Sequence, residues 1–277
     1  MAQSSVLLSR EGTMDRRDIL PERPVERGRG FMPGVSVNPS RLLFTAGLTG
    51  RNPDGSIASG GMAPQTHRAF ERLQAVLEQA GARFDDVIKQ LLYVTDLEAY
   101  NADGRAERAK FFGSARPAST GLVVRRLADP AMLIEVELVA ELSGSPQGKP
   151  LLEKYNAENH GGDFYQGVIV NGGRLIYLAG QVANNPDGSV AGVGDLRRQA
   201  EKVYENIGHV LRAAGATPGN AVKETTWVLS IDDWRQHGTP VRRAFYQGDY
   251  PASTLVEIQG LARPEFAVEI EVIAAVA

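Results

Sequence analysis

The chain has 277 residues, a formal net charge of -3 and 43% hydrophobic residues, which is enough apolar material for one large domain or two ordinary ones. Charges of both signs are mixed along it without a basic stripe, which argues against nucleic acid as a partner, and the absence of cysteine excludes disulfides, thiolate nucleophiles, Fe–S clusters and cysteine zinc sites together. No run approaches the ~18 apolar residues of a membrane span and the amino terminus lacks the apolar core of a signal peptide, so the expectation is a soluble, cytoplasmic protein with no membrane partner.

Residues 1–29 are rich in Arg, Glu, Asp, Ser and Pro without a sustained apolar period, and read as an arm that is ordered only against a neighbour. Leu42-Leu43-Phe44, ahead of Gly47, reads as a strand, and Asn52-Pro53-Asp54-Gly55-Ser56 as a type I turn closed by a left-handed glycine. Phe70, Leu73, Val76, Leu77 and Ala80 then recur at three and four residues, giving a helix with one apolar stripe that Gly81 stops. A β-branched and aromatic strand, Val87 to Val94, follows. A second helix spans about Ala102 to Phe112, and two further strands carry Pro117-Ala118-Ser119-Thr120 and Glu135-Val136-Glu137.

After a linker at 142–162 the pattern returns. Val168-Ile169-Val170 and Leu175 to Leu178 are strands, Asn185 to Ser189 repeats the turn, and Leu196, Ala200, Val203, Ile207, Val210, Leu211 and Ala214 form a helix before Gly215. Val222 to Leu229 is the next strand, and a helix at about Pro240 to Tyr246 precedes Pro251-Ala252-Ser253-Thr254 and Glu269-Ile270-Glu271. Pro117 on Pro251, Glu135 on Glu269, Lys89 on Lys223 and Gly81 on Gly215 all align at an offset of 134, and Gly47 on Gly180 and Arg41 on Arg174 at 133. So constant an offset marks a tandem duplication. Each copy, 30–141 and 163–277, reads β-β-β-α-β-α-β-β, an α+β unit with one sheet and both helices on one face.

The order of elements, the Ala-Gly before the Asn-Pro-Asp-Gly turn, the helix ending Ala-Gly, the lysine-bearing strand, the Pro-Ala-Ser-Thr strand and the Glu-x-Glu strand resemble the Rid family, the YjgF-like enamine/imine deaminases also called L-PSP endoribonucleases. The resemblance implies a chorismate-mutase-like fold that closes into trimers, here three tandem chains with six domains. It also implies small-molecule ligand sites in clefts between neighbouring domains. The first glutamate of Glu-x-Glu, Glu135 or Glu269, is then the group that positions or activates an attacking water.

The departures bear on substrate. Ser119 and Ser253 stand where deaminating members have the arginine that grips the substrate carboxylate. Phe31 and Phe164 take the place of the pocket tyrosine, with Tyr165 and Gln166 beside the latter; Ala46 and Ala179 replace a serine. Arg105 and Thr239 replace an asparagine of the second helix. Arg105 is either a substitute cation or, with Arg108, a solvated arginine. Glu257, matched by Val123, is a pocket acid or a surface charge. Glu135 and Glu137, two apart, share one face of their strand. His67, His160, His209 and His237 lack the spacing of metal ligands, and only His160, before Gly161-Gly162, borders a stretch expected at a pocket. No glycine pair has the strand-to-helix context of a nucleotide loop, so neither metal nor cofactor is indicated.

Three functions fit. The first is a hydrolase acting on an imine, enamine or related nitrogenous metabolite, since this chemistry asks only for a water, a group to orient it and a proton for nitrogen. The second is a non-catalytic metabolite-binding or scaffold protein, favoured by the missing arginine. The third, RNA cleavage, lacks a histidine pair and a basic cleft.

Overall fold

The computed structural model describes residues 39–158 and 163–277, and the backbone of two short strands at 17–19 and 34–36. Phe31, Met32, Pro33 and His160 lie outside the described residues. Strands β1 (Arg17–Ile19) and β2 (Gly34–Ser36) pair with each other, which puts a strand inside the stretch read as an arm. The first repeat continues with β3 (Arg41–Thr45), β4 (Leu48–Thr49), α1 (Met62–Gln79), β5 (Val87–Val94), α2 (Leu97–Ala99), α3 (Arg105–Phe112), β6 (Ala118–Val123) and β7 (Ile134–Glu141). The second comprises β8 (Leu152–Tyr155), β9 (Gly167–Asn171), β10 (Arg174–Tyr177), α4 (Leu196–Ala213), β11 (Ala221–Val228), α5 (Ile231–Asp233), α6 (Thr239–Tyr246), β12 (Ala252–Glu257) and β13 (Val268–Val276). With α2–α3 and α5–α6 each taken as one helical stretch, the first copy has the expected β-β-β-α-β-α-β-β order, β2, β3 and β4 preceding α1; residues 163–277 have two strands before α4, and β8 lies in the stretch expected as linker.

The periodicity accounts for the long helices. Phe70, Leu73, Val76 and Leu77 of α1 are fully buried, as are Ala200, Val203, Ile207 and Leu211 of α4; Val210, counted with them from the sequence, points outward. Gly81 and Gly215 end these helices at φ +75 and +77, in the left-handed region that glycine enters without strain. The turn chemistry also holds: Asp54 and Asp187 each accept from the backbone N–H of the serine two residues on.

The expectation of one sheet per repeat fails. The first sheet runs β6-β5-β7-β3-β9-β8, so the second repeat gives its first two strands to its neighbour; the second sheet keeps β10-β13-β11-β12. Strand β9 pairs antiparallel with β3, Arg41 opposite Asn171 and Thr45 opposite Gly167, and Arg41 Nε donates to Asn171 Oδ1 at 2.6 Å. The physical reason is burial. Val168, Ile169 and Val170 enter the first repeat's core, whereas β10 stays exposed or half-buried with Tyr177 68% exposed.

The two sheets face each other across a cavity of about 90 Å³ lined by Lys89, Glu137, Lys223 and Glu271 among apolar neighbours. The repeats also meet where Arg125 N–H donates to Glu257 O and Glu257 N–H to Arg126 O. Among the described residues no helix is long and apolar enough to cross a membrane.

Candidate active site between the repeats

Glu135 lies on β7 opposite Thr49 of β4 and is 5% exposed. Its carboxylate fills the space above Gly47, where an added Cβ would come within 1.9 Å of Glu135 Oε1 and 2.8 Å of Thr254 Oγ1. Glycine is needed there because backbone and carboxylate approach so closely. The second repeat supplies the opposite wall: Gly47 N–H donates to Ser253 O at 3.1 Å and Ala46 N–H to Gln166 O at 2.9 Å. Below, Lys223 Nζ is 2.7 Å from Glu137 Oε2 and donates to Thr254 Oγ1 at 2.6 Å and Thr45 O at 3.2 Å.

Burial sets the chemistry of this carboxyl. Desolvation pushes the Glu135 pKa up to about 8 against the attraction of Lys223 and Arg72, with the Glu137 charge adding to the rise. A carboxyl held protonated near neutrality can donate a proton to a basic nitrogen and, as the carboxylate left behind, orient a water. Perturbation of this kind by burial at an enclosed site is characteristic of groups that carry chemistry.

The equivalent site is built but open. A Cβ on Gly180 would sit 2.0 Å from Glu269 Oε1, repeating the relation of Gly47 to Glu135. Yet Glu269 is half-buried, and β6, the counterpart of the β12 wall, is exposed from Thr120 to Val123. One chain therefore encloses one of the two glutamates.

Beside Glu135, Arg72 of α1 donates through Nη1 to Thr49 O at 3.0 Å. Its Nε donates to Glu158 Oε2 at 2.9 Å, while Arg68 Nη2 donates to Glu158 Oε1 at 2.6 Å. Although desolvation pushes it up, these two guanidiniums hold the Glu158 carboxyl below its usual value. Glu158 N–H in turn donates to Gln166 Oε1 at 2.9 Å, and Gln166 Nε2 is buried without a hydrogen-bond partner among the described residues.

Of the residues expected at a site, Glu135 and Ser253 come together around Gly47, the serine through its carbonyl. Phe164 and Tyr165 are half-buried against the first repeat's core, and Tyr165 N–H donates to Pro251 O at 3.3 Å. Phe31 falls outside the described residues. Glu257 is neither a pocket acid nor a free surface charge: it is buried, accepts from Ile231 N–H at 3.0 Å and lies 3.4 Å from Arg125 Nε. Thr239 donates to Trp234 O at 3.3 Å, closing its own helix.

Arg105 is exposed, and the arginine its helix buries is Arg108, which was read with it as solvated. Arg108 Nε donates to Gln90 Oε1 at 2.8 Å, and Ser119 Oγ to the same oxygen at 3.3 Å. In the second repeat the pair becomes ionic, with Arg242 Nε 2.5 Å from Glu224 Oε1. Tyr204 and Tyr246 hydroxyls both donate to Glu224 Oε2, at 3.1 and 2.7 Å. Gly47, Thr254, Lys223, Arg68 and Arg72 also stand here, and none is among the residues expected at a site. The first three recur at the repeat offset and could have been found that way; the arginines could not, because Lys202 and Asn206 take their places in the second copy.

A duplicated α+β chain with a Gly-and-glutamate contact repeated in both copies defines the class. The chain belongs to the family described as Endoribonuclease L-PSP, whose model matches residues 30–142 and again 157–276, making it a tandem Rid/YjgF protein. Single repeats resemble shorter proteins. A RutC family protein of Pyrococcus abyssi is 34% identical over 106 residues, covering 38% of this chain and 82% of the relative. A 2-iminobutanoate/2-iminopropanoate deaminase of Rattus norvegicus is 31% identical over 115 residues, 41% of this chain and 80% of the relative. Among solved structures, the Rid-family protein YyfB of Yersinia pestis shares 34% identity, covering 46% of this chain and all of its own, with a TM-score of 0.43.

Proposed function

We propose that the protein hydrolyses the carbon–nitrogen double bond of a small imine, or of the enamine that tautomerises to it, in the cleft between its repeats. The observation that carries this reading is the enclosed carboxyl of Glu135, raised to about 8 and seated against Gly47 and the Thr254 hydroxyl. Glu135 in its acid form gives its proton to the imine nitrogen, which makes the carbon electrophilic. The carboxylate then orients a water and takes its proton as oxygen bonds to that carbon. Passing this proton to the amine nitrogen, and taking up the hydroxyl proton as the carbon–nitrogen bond breaks, lets the tetrahedral adduct expel ammonia and leave a carbonyl compound. Imine and water are consumed, carbonyl and ammonia are released, and the residue ends as it began. Names carried by relatives, among them the rat 2-iminobutanoate/2-iminopropanoate deaminase, support the reaction class.

Ammonia release from 2-iminobutanoate generated in situ tests it. Glu135→Gln keeps the shape and removes the proton relay, so turnover should fall by ~10²–10⁴. Unchanged turnover in Glu135→Gln, or none in the unaltered protein with a range of imines, would leave the cleft a metabolite receptor. The larger assembly, a closed ring of three tandem chains, belongs to the same proposal: the exposed β6 is the wall that the Glu269 cleft lacks, and a neighbouring chain would supply it.

A further inference from the structure

Two arginines bridging one carboxylate beside a buried catalytic carboxyl form an arrangement that a ligand could enter. Glu158 offers one oxygen to Arg68 and the other to Arg72, and both arginine side chains are largely buried, 16% and 7% exposed. Arg72 is fixed from behind by Thr49 O, on the residue directly opposite Glu135 in the sheet, and Arg68 by Arg51 O. The carboxylate they hold comes from a connecting segment rather than from the core. Gln166, whose side-chain carbonyl accepts from Glu158, keeps a buried Nε2 donor with no partner among the described residues at the same place.

The second repeat marks this as a property of one cleft. At the repeat offset, Arg68 becomes Lys202 and Arg72 becomes Asn206, whose amide donates to Val182 O and Asn184 O at 3.1 Å each. At these two positions the first copy presents two guanidiniums to one anion, and the second a lysine and an amide. We infer that Arg72 and Arg68 form the carboxylate subsite of the Glu135 cleft, and that Glu158 occupies it as an internal competitor which a carboxylate-bearing ligand displaces. The arginine missing from Ser119 and Ser253 is thereby replaced from a different element. A bidentate or bridged guanidinium–carboxylate contact combines charge with planar geometry, which lysine at 202 cannot reproduce.

This inference rests on the cleft assigned above but not on its turnover, and the test separates the two. The probe is 2-oxobutanoate, a stable keto acid, titrated calorimetrically into the full-length protein, with 2-butanone as the partner lacking the carboxylate. Glu158→Gln removes the competing charge and should tighten 2-oxobutanoate binding at least tenfold without changing 2-butanone. Arg72→Asn, the residue of the second repeat, should weaken 2-oxobutanoate at least tenfold in both the parent and the Glu158→Gln backgrounds. No tightening in Glu158→Gln, or no 2-oxobutanoate binding by any variant, overturns the inference. So does an Arg72→Asn protein that melts lower yet binds 2-oxobutanoate like the parent, since the arginines then only latch the connecting segment to α1. Imine turnover lost in Glu135→Gln but indifferent to Arg72→Asn would sink the subsite and leave the hydrolase. The predicted binding changes without any turnover would do the reverse.

Discussion

Replacing Glu135 by glutamine should make the protein more stable above pH 8 and leave it unchanged near pH 4. Burial holds the carboxyl up at about 8 in the folded chain, against an ordinary value of 4.5. Below the unfolded value both states are protonated, and the folded state suffers no penalty. As pH rises through the interval the unfolded chain ionises while the folded one holds its proton, so stability falls until the folded carboxyl ionises near pH 8. At about 1.36 kcal/mol for each pH unit of displacement the loss between pH 4.5 and 8 is on the order of 5 kcal/mol. Glutamine fills the same space against Gly47 and never ionises, so this sloping term should vanish. Urea unfolding of both proteins at half-unit steps from pH 4 to 9 reads it directly, as a difference that opens with pH in favour of the variant. Parallel stability curves would refute the reasoning, because Glu135 would then share its titration with the unfolded chain. A variant gaining stability while losing turnover would show that the site is strained for function.

Gly47→Ala should push the Glu135 carboxylate aside, since the new Cβ would meet Oε1 at 1.9 Å, and cut turnover at least tenfold; crystallography of the variant should find the side chain displaced. Glu224→Gln leaves Arg242 without its anion and gives the Tyr204 and Tyr246 hydroxyls a donor to face. A cost of about 3–5 kcal/mol in urea unfolding is expected. Adding Tyr204→Phe and Tyr246→Phe copies the Gln90, Phe70 and Phe112 set of the first repeat and should recover at least half of that loss; a triple variant no better than the single would count against the argument. Sedimentation at micromolar concentration should give three times the 29.9 kDa chain mass, and a single-chain mass would remove the ring.

Element order and the duplication were legible because both rest on local pattern: apolar spacing, turn residues and an offset that holds from Gly47 to Glu269. The sheet partners were not, since Val168-Ile169-Val170 reads as a buried strand whichever sheet receives it. Nothing in its five residues distinguishes the edge of β3 from the edge of β10. At the cleft, Glu135 stood out by recurrence with Glu269. Which of the two would be enclosed depends on where β12 lands, a tertiary fact. Arg72 was invisible for the opposite reason: it breaks the repeat, and on an amphipathic helix a lone arginine reads as solvent-facing.

The crossing of β9 into the first sheet means that the segment which was duplicated is not the segment that folds. A gene cut between the repeats, at the place the sequence offers, would deliver a first half lacking the strand that covers β3 and a second half carrying three apolar residues with no sheet to enter. Each fragment would expose an unpaired edge, an invitation to pair with the wrong chain. The β3–β9 ladder joins residues about 130 apart and cannot close until the ribosome has made both, so the nascent first repeat waits for the beginning of the second. Bound by a hairpin that one copy donates to the other, the chain no longer comes apart at the boundary between its repeats.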